Sequence, residues 1–202
     1  MYESKIKFFD AQARAPWADA PYGEDEEGKL ERLLALLPPG RGHDLLEPGC
    51  GTGRLTERLA QTVGPKGSVT ALDISPRMVE SARTRLTGMD NAEVLVADLE
   101  RCVLPKRAYD AVVCHQVFPH FNDPARALER ISKLLKPRGR VIVSHFIGRD
   151  EVNDVHRKAG TAVENDLLPD AEGMHAMFET VGFSIAVLED LPGLYLLSAS
   201  RA

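Results

Sequence analysis

A glycine-rich turn near residue 50 has the residue types and spacing of a ligand-binding turn. Glycine stands at positions 49, 51 and 53 of the run LLEPGCGTG, between an apolar segment and a helical one. Glycine adopts backbone conformations that other residues avoid, and its missing side chain lets a ligand approach the backbone. The free N–H groups at the start of the next helix would face the same ligand. The pattern therefore predicts a binding site formed by Gly49, Gly51 and Gly53.

Two acidic residues indicate which kind of ligand this turn binds. Asp73 ends the next predicted strand, about twenty residues after the turn, where a carboxylate can accept hydrogen bonds from ribose hydroxyls. Glu47 precedes the first glycine, and its charge would repel a pyrophosphate but attract an ammonium or a sulfonium group. Dinucleotide sites also favour the spacing GxGxxG, whereas this turn has GxGxG. These features favour a ribose-containing ligand with a positive charge over a dinucleotide.

Alternating strand and helix patterns place the turn at one edge of a sheet. Five apolar strands are predicted in the runs HDLLEPG, GSVTALDIS, AEVLVAD, YDAVVCHQV and GRVIVSHF, with helices between them. Two further strands, FSIAVLED and GLYLLSAS, are joined through Pro192-Gly193 and suit an antiparallel pair. Nearly continuous apolar strands are typical of a sheet covered on both faces. We predict an α/β fold with a doubly wound, mostly parallel seven-stranded sheet, helices on both faces and a C-terminal antiparallel hairpin.

Two segments depart from this alternation. Residues 1–29 are predicted to be an irregular N-terminal cap segment, whose aromatic residues either cover the site or pack on the sheet. Residues 30–202 are predicted to form a single domain with a lid-like insertion at about 147–169. Connections in compact α/β units usually have roughly 2–6 residues, so a longer one is often a lid or a binding loop. A short helix from 150 to about 158 is predicted within the insertion.

Five of the six histidines lie in the second half of the chain. His115 and His120 follow the fourth predicted strand and His145 ends the fifth, and ligands of open α/β sheets bind beyond such strand ends. These three are the candidate catalytic residues, since an imidazole can act as a general base near neutral pH. Three imidazoles from different segments can also bind a divalent transition metal such as zinc or iron. His120, His145 and His156, the last in the insertion, are the candidate ligands for such a metal; a purely structural role is the remaining alternative.

Five motifs in register resemble those of the class I S-adenosylmethionine-dependent methyltransferases. They are EPGCGTG, ALDISPRMVESAR, VADLE, YDAVVCHQVFPHF and LLKPRGRVIVSHF. The sequence is most similar to the branch that contains the ubiquinone and menaquinone C-methyltransferases. The resemblance covers residues 30–200 and implies a Rossmann-like methyltransferase fold. It also implies S-adenosylmethionine as the cofactor and a small molecule as the methyl acceptor.

The resemblance implies a role for each matching residue. Glu47 and the three glycines of the turn would hold the methionine portion of the cofactor, Asp73 the ribose and Ile74 the adenine ring. Asp98 would accept a hydrogen bond from the adenine amino group, and Leu99 would contribute its backbone N–H. Cys114 and His115 would line the path to the methyl group.

Composition and charge argue against several other classes of protein. The formal charge is −5, from 25 basic and 30 acidic residues, and duplex nucleic-acid binders usually have a basic surface. No apolar run approaches the roughly 18 residues of a membrane helix, and the first residues lack the apolar core of a signal peptide. We therefore expect a cytoplasmic protein with no nucleic-acid partner and no membrane span. The oligomeric state stays open.

Two alternative functions remain at this point. An NAD-dependent oxidoreductase would use a similar sheet, although the turn spacing and Glu47 argue against it. A non-catalytic module that senses the cofactor or a metal would show the same binding motifs without methyl transfer. The acceptor atom, which could be oxygen, nitrogen, carbon or sulfur, is also left open by the sequence.

Overall fold

The computed structural model describes residues 2–201, so Met1 and Ala202, the outer ends of the two predicted units, lie outside the described residues. The helices are α1 Tyr2–Gln12, α2 Pro16–Asp19, α3 Glu24–Leu34, α4 Arg54–Val63, α5 Pro76–Arg85, α6 Pro124–Leu134, α7 Arg149–Lys158 and α8 Ala171–Thr180. The strands are β1 Asp44–Pro48, β2 Ser68–Asp73, β3 Ala92–Val96, β4 Tyr109–His115, β5 Leu135–His145, β6 Phe183–Leu191 and β7 Leu194–Arg201. Among these described helices, none has the length and apolar character needed to cross a bilayer.

The strands form one seven-stranded sheet in the order β3-β2-β1-β4-β5-β7-β6. The pairs from β3 through to β5 are parallel, whereas β5–β7 and β6–β7 are antiparallel. This confirms the predicted fold class. The strand order reverses between β1 and β4, and crevices at such a reversal bind ligands in open α/β sheets. The glycine turn follows β1 at this point.

Apolar side chains cover both faces of the sheet, which explains the continuous apolar runs. On one face Val112 packs with Leu128 and Ile131 of α6. On the other face Val113 and Ile142 pack in a second cluster with residues of α3 and α4. All five side chains are fully buried, and each such burial contributes roughly 1.5–3 kcal/mol. The two clusters hold the strand ends, and therefore the site residues, in a fixed register.

The first segment of the chain is helical, so the prediction that residues 1–29 are irregular is wrong. Helix α1 is only weakly amphipathic, and periodicity therefore does not reveal it. It is held by polar contacts instead: Lys5 is buried, and Asp10 Oδ1 accepts a hydrogen bond of 2.5 Å from the Ser75 hydroxyl. Tertiary contacts thus decide the structure here rather than local sequence.

Strand β5 begins earlier than the run GRVIVSHF predicts, at Leu135. Proline and glycine in the preceding run are typical of turns, and Arg138 does have a positive φ of 65°. The segment is nevertheless held against the sheet, because Lys136 Nζ donates to Asp44 Oδ2 at 2.9 Å and to Asp110 Oδ2 at 2.7 Å. The helix predicted within the insertion is confirmed, as α7 spans Arg149–Lys158.

Gly49 and Gly51 both have positive φ but differ in the space around them, which gives a stability test. A Cβ at Gly49 would lie 2.2 Å from Cγ2 of Val117, whereas a Cβ at Gly51 meets nothing within 4 Å. We expect Gly51→Ala to destabilise the protein by about 1–2 kcal/mol through backbone strain alone. Gly49→Ala should cost clearly more because it adds a steric overlap. Urea unfolding of both variants measures this, and equal losses would contradict the close approach of Val117.

Candidate functional site

A cavity lies at the carboxyl ends of β1, β2 and β4, where the strand order reverses. Its wall also includes side chains of α1, α2 and the segment before α3. Of the ten residues predicted to contact a cofactor, the eight that line this cavity are Glu47, Gly49, Gly51, Asp73, Ile74, Asp98, Leu99 and His115. The motifs that are far apart in the sequence therefore meet at one site.

Gly53 and Cys114, the other two predicted contacts, do not line the cavity. Gly53 has φ +82°, and a Cβ there would lie 3.1 Å from Cβ of Ala82, so this glycine allows α4 to start close against α5. Cys114 is fully buried in the core on the α6 side of the sheet. Side chains alternate along a strand, so the residue after Cys114, His115, reaches the cavity instead.

Glu47 places a carboxyl group in the wall of the cavity with almost no access to solvent. Burial is the main cause that raises the pKa of Glu47 to about 8, and the nearby charge of Asp73 acts in the same direction. A hydrogen bond from Thr56 opposes this increase. The Thr56 hydroxyl donates to Oε2 at 2.6 Å. A cation beside Glu47 would favour the ionised form and bind to it. The site therefore suits the positively charged group that the sequence indicates.

Asp73 connects the glycine turn to the start of α5. Its Oδ2 accepts from the backbone N–H of Gly51 at 2.9 Å, and its Oδ1 accepts from that of Ser75 at 2.8 Å. Burial raises the pKa of Asp73, and the charge of Asp10 adds to this effect, although the backbone hydrogen bonds oppose it. Each carboxylate oxygen can accept a second hydrogen bond, so Asp73 can still bind ligand hydroxyls.

Asp98 has an oxygen that is buried and lacks a hydrogen bond to any of residues 2–201. Its Oδ1 accepts from the backbone N–H of Glu100 at 2.8 Å. Its Oδ2 lies 3.3 Å from Nε of Arg101 in an ion pair but forms no hydrogen bond there. A buried acceptor of this kind normally has a donor. The amino group of an adenine would supply one, so the residues present fit the nucleoside part of S-adenosylmethionine.

His115 and His120 line the cavity on the side of β4 and the short 3-10 turn that follows it. His115 Nδ1 lies 2.8 Å from the Ser144 hydroxyl, and burial, together with the charge of Arg54, lowers the pKa of His115 to about 3. His120 Nδ1 lies 2.8 Å from Oδ2 of Asp166. Burial lowers the pKa of His120 despite this carboxylate. Both pKa shifts favour the neutral imidazole at pH 7, and a neutral imidazole has one nitrogen that can accept a hydrogen bond.

His145, predicted to be catalytic, lies behind the cavity rather than in its wall. It is almost fully buried, with its ring centroid 6.3 Å from that of Tyr195. Burial holds the pKa of His145 well below its usual range, and His115, His120 and His156 contribute to the same effect. A side chain with no surface in the cavity does not touch an acceptor there.

The predicted metal ligands His120, His145 and His156 lie near one another but do not fit a metal site. The rings of His120 and His156 are 4.5 Å apart and tilted by 40°. Their Nδ1 atoms are both engaged by Asp166, through its side chain and its backbone oxygen respectively. In the part of the chain that the structure describes, no group of three or more His, Cys, Asp or Glu residues is placed to hold a metal ion.

Aromatic residues of the N-terminal segment form part of the wall. Phe9 and Trp17 line the cavity, whereas Phe8 packs edge-on against Phe9 at 5.2 Å. The hydroxyl of Thr52, in the glycine turn, donates to the backbone oxygen of Ala18 and fixes α2 beside the site. Phe9 and Trp17 thus lie in the wall of the cavity, as the alternative in which they cover the site would require.

Several cavity residues were missed by sequence reasoning. The guanidinium of Arg54 lies 4.1 Å from the ring centroid of Tyr22, and both residues line the cavity. Burial raises the pKa of Tyr22, and the charge of Glu47 adds to the increase. The position of Arg54 directly after the glycine turn could have revealed it. Tyr22 and Lys5 carry no comparable signal, because they lie outside any motif.

The raised pKa of Glu47 predicts a pH-dependent stability. The pKa of Glu47 is near 4.5 in the unfolded chain and near 8 in the folded one. Ionisation of this carboxyl therefore lowers the free energy of unfolding progressively as the pH rises from about 4.5 to 8. Glu47→Gln keeps the partner of Thr56 without the charge. We expect this variant to match the wild type near pH 5 and to exceed it by about 2–4 kcal/mol at pH 8.5.

Urea unfolding at both pH values measures this difference. The exposed Glu93, changed to Gln, is the matched control and should leave the pH dependence as it is in the wild type. A stability gain for Glu47→Gln that is equal at pH 5 and pH 8.5 would show that the folded carboxyl titrates normally.

Residues 46–143 match a family model described as a methyltransferase domain. Malonyl-[acyl-carrier protein] O-methyltransferase from Priestia megaterium is 34% identical over 112 residues, which are 55% of this chain and 39% of that protein. Aklanonic acid methyltransferase DauC from Streptomyces sp. (strain C5) is 34% identical over 112 residues, which are 54% of this chain and 51% of that protein. The chain thus spans about half the length of these curated relatives or less.

Solved structures share the fold over most of the chain. A SAM-dependent methyltransferase from Aquifex aeolicus superposes with a TM-score of 0.70 at 22% identity, covering 98% of each chain. The [4+2]-cyclase SpnF superposes with a TM-score of 0.74 at 19% identity, covering 91% of this chain and 83% of its own. The chain therefore has the Rossmann-like fold of the class I S-adenosylmethionine-dependent methyltransferases, and its residues 46–143 match the family of methyltransferase domains.

Proposed function

We propose that this protein transfers a methyl group from S-adenosylmethionine to a small-molecule acceptor bound in the cavity. The observation that carries the proposal is the meeting of Glu47, Asp73 and Asp98 in one wall, each at the end of a different strand or turn. The methyltransferase-domain match covers all three residues. When bound, the cofactor supplies a methyl group on a positively charged sulfur.

The chain's own residues would bind and orient the cofactor. Glu47 would pair with its positive end, Asp73 would accept from ribose hydroxyls, and Asp98 would accept from the adenine amino group through Oδ2, which forms no hydrogen bond within residues 2–201. The backbone of Gly49 and Gly51 lets the ligand come close. Holding two reactants in line and away from water removes much of the entropic part of a reaction barrier, and α1 and α2 cover the cavity for this purpose.

The acceptor would lie on the side of His115 and His120. Both line the cavity and are neutral, so either can orient an acceptor or take its proton. The relatives named above are called methyltransferases of malonyl-[acyl-carrier protein] and aklanonic acid, which supports a small or carrier-linked acceptor. Membership of the ubiquinone and menaquinone branch stays a prediction.

The N-terminal segment and the insertion would act as the covering parts of the site. Lys5, Phe9 and Trp17 from the segment 1–29 line the cavity, and Asp166 of the insertion contacts His120. These contacts support the division into a cap segment, a methyltransferase domain over 30–202 and a lid at about 147–169.

Binding of the cofactor product separates the proposal from the NAD alternative. Trp17 is the single tryptophan of the chain and lines the cavity, so its fluorescence reports on this site alone. We expect S-adenosylhomocysteine to change the fluorescence saturably and with one-to-one stoichiometry, and NAD to have no effect. Saturable NAD binding without S-adenosylhomocysteine binding would overturn the proposal. Cofactor binding without methyl transfer to any of a broad panel of acceptors would favour the sensing module.

Substitution of Asp73 tests its assignment to the ribose. Asp73→Ala removes the charge-assisted hydrogen bonds to the ribose and should weaken S-adenosylhomocysteine binding by roughly 1–3 kcal/mol. Calorimetric titration measures the change, and circular dichroism checks that the variant is folded. The exposed Asp90→Ala is the matched control. An unchanged dissociation constant for Asp73→Ala would show that the ribose lies elsewhere.

A further inference from the structure

Three side chains from distant parts of the chain form a continuous hydrogen-bonded series at the cavity. Lys5 Nζ, from α1, donates to Oδ1 of Asp166 at 2.8 Å and to the backbone oxygen of His120 at 2.9 Å. The other carboxylate oxygen of Asp166 lies 2.8 Å from Nδ1 of His120. Lys5 has only 2% of its surface exposed, and both Lys5 and His120 line the cavity.

This series determines which nitrogen of His120 carries the proton. An ionised carboxylate only accepts hydrogen bonds, and the bonds from His120 and Lys5 hold the pKa of Asp166 below its usual value despite its burial. Nδ1 must therefore be the N–H that donates to Asp166. A neutral imidazole has one N–H, so Nε2 is left with a lone pair and can only accept.

The surroundings of His120 select the kind of group that can meet this lone pair. A carboxylate has no hydrogen to donate to Nε2, and the positive charge of Lys5 beside the ring disfavours an ammonium group. A neutral hydroxyl satisfies both conditions. The ring of Phe9 packs against His120 at 5.1 Å, and Phe121 also lines the cavity, so an aromatic hydroxyl finds apolar contacts there.

We propose that the acceptor is a hydroxyl compound whose O–H donates to Nε2 of His120, and that Asp166, held by Lys5, is the positioning residue that fixes this tautomer. The proposal rests on the proposed methyl transfer. In the reaction the acceptor oxygen forms a bond to the methyl carbon as the bond from that carbon to sulfur breaks. The O–H proton passes to Nε2, so the products are a methyl ether, S-adenosylhomocysteine and a protonated His120.

Histidine-specific 15N nuclear magnetic resonance tests the tautomer directly. The signals of His120 are assigned as those missing from His120→Gln. In the wild type we expect a protonated Nδ1 and an unprotonated Nε2. If the proton of His120 lies on Nε2 in the wild type, this measurement alone overturns the proposal.

The role of Asp166 is tested by a pair of substitutions. In Asp166→Asn, Lys5 still needs an acceptor, so the amide oxygen should face Lys5 and the amide NH2 should face His120, which moves the ring proton to Nε2. In the double variant Lys5→Met with Asp166→Asn, the amide is free to turn and the original tautomer should return. Asp154→Asn, on the exposed side of α7, is the control and should leave the signals unchanged. An unaltered tautomer in Asp166→Asn would show that Asp166 does not position the ring.

The acceptor class is tested with three probes added to the S-adenosylhomocysteine complex. Phenol should shift the Nε2 resonance of His120, whereas anisole, which lacks the hydroxyl hydrogen, and benzoate should not. Phenol affinity should fall about tenfold in Asp166→Asn, as expected for one lost hydrogen bond. A shift of the Nε2 resonance with benzoate would overturn the hydroxyl assignment, and so would the absence of a shift with all three probes.

The binding of S-adenosylhomocysteine, followed by Trp17 fluorescence, separates the two proposals. Its retention in Asp166→Asn shows that the cofactor site is intact, so that an unchanged tautomer counts against the role of Asp166 alone. Its absence in the wild type counts against the proposed methyl transfer itself.

Discussion

The carboxylate of Asp73 holds together the two turns between which the cavity opens. One oxygen accepts from Gly51 in the turn after β1, and the other accepts from Ser75 in the turn after β2. The hydroxyl of Ser75 in turn donates to Asp10, so the same group connects α1 to the site. A buried charge is tolerated only when it is well hydrogen-bonded. The floor of the cavity and one of its covers therefore depend on a single buried side chain.

Local signals account for the parts of the site that the sequence predicts. Positions 49 and 51 need positive φ, and glycine is the residue that adopts it at little cost. Ser75 precedes Pro76 at the start of α5, and its hydroxyl accepts from the backbone N–H of Met78. Asp73 ends an apolar run whose end must lie at one sheet edge once the strands are parallel. Asp98 is implied by the family resemblance, and the structure brings it to the same edge.

Contacts between distant segments account for what the sequence does not predict. Lys5 and Asp166 are 161 positions apart, and nothing in either local run distinguishes them from other charged residues. Distant contacts also explain why the histidines predicted to bind a metal do not fit a metal site. His120 and His156 do come together, as the strand ends and the insertion suggest, but Asp166 orients both rings through hydrogen bonds. Proximity follows from topology, whereas ring orientation follows from partners that only the folded chain brings near.

The alternation of side chains at the end of β4 sets a limit on how this protein can change its length. Cys114 faces the core and His115 faces the cavity, in register with Val143 and Ser144 of β5. Inserting or deleting one residue within β4 would exchange the two faces, placing a thiol in the cavity and an imidazole in the hydrocarbon core. A change of length within β4 would therefore damage the cavity and the core at the same time.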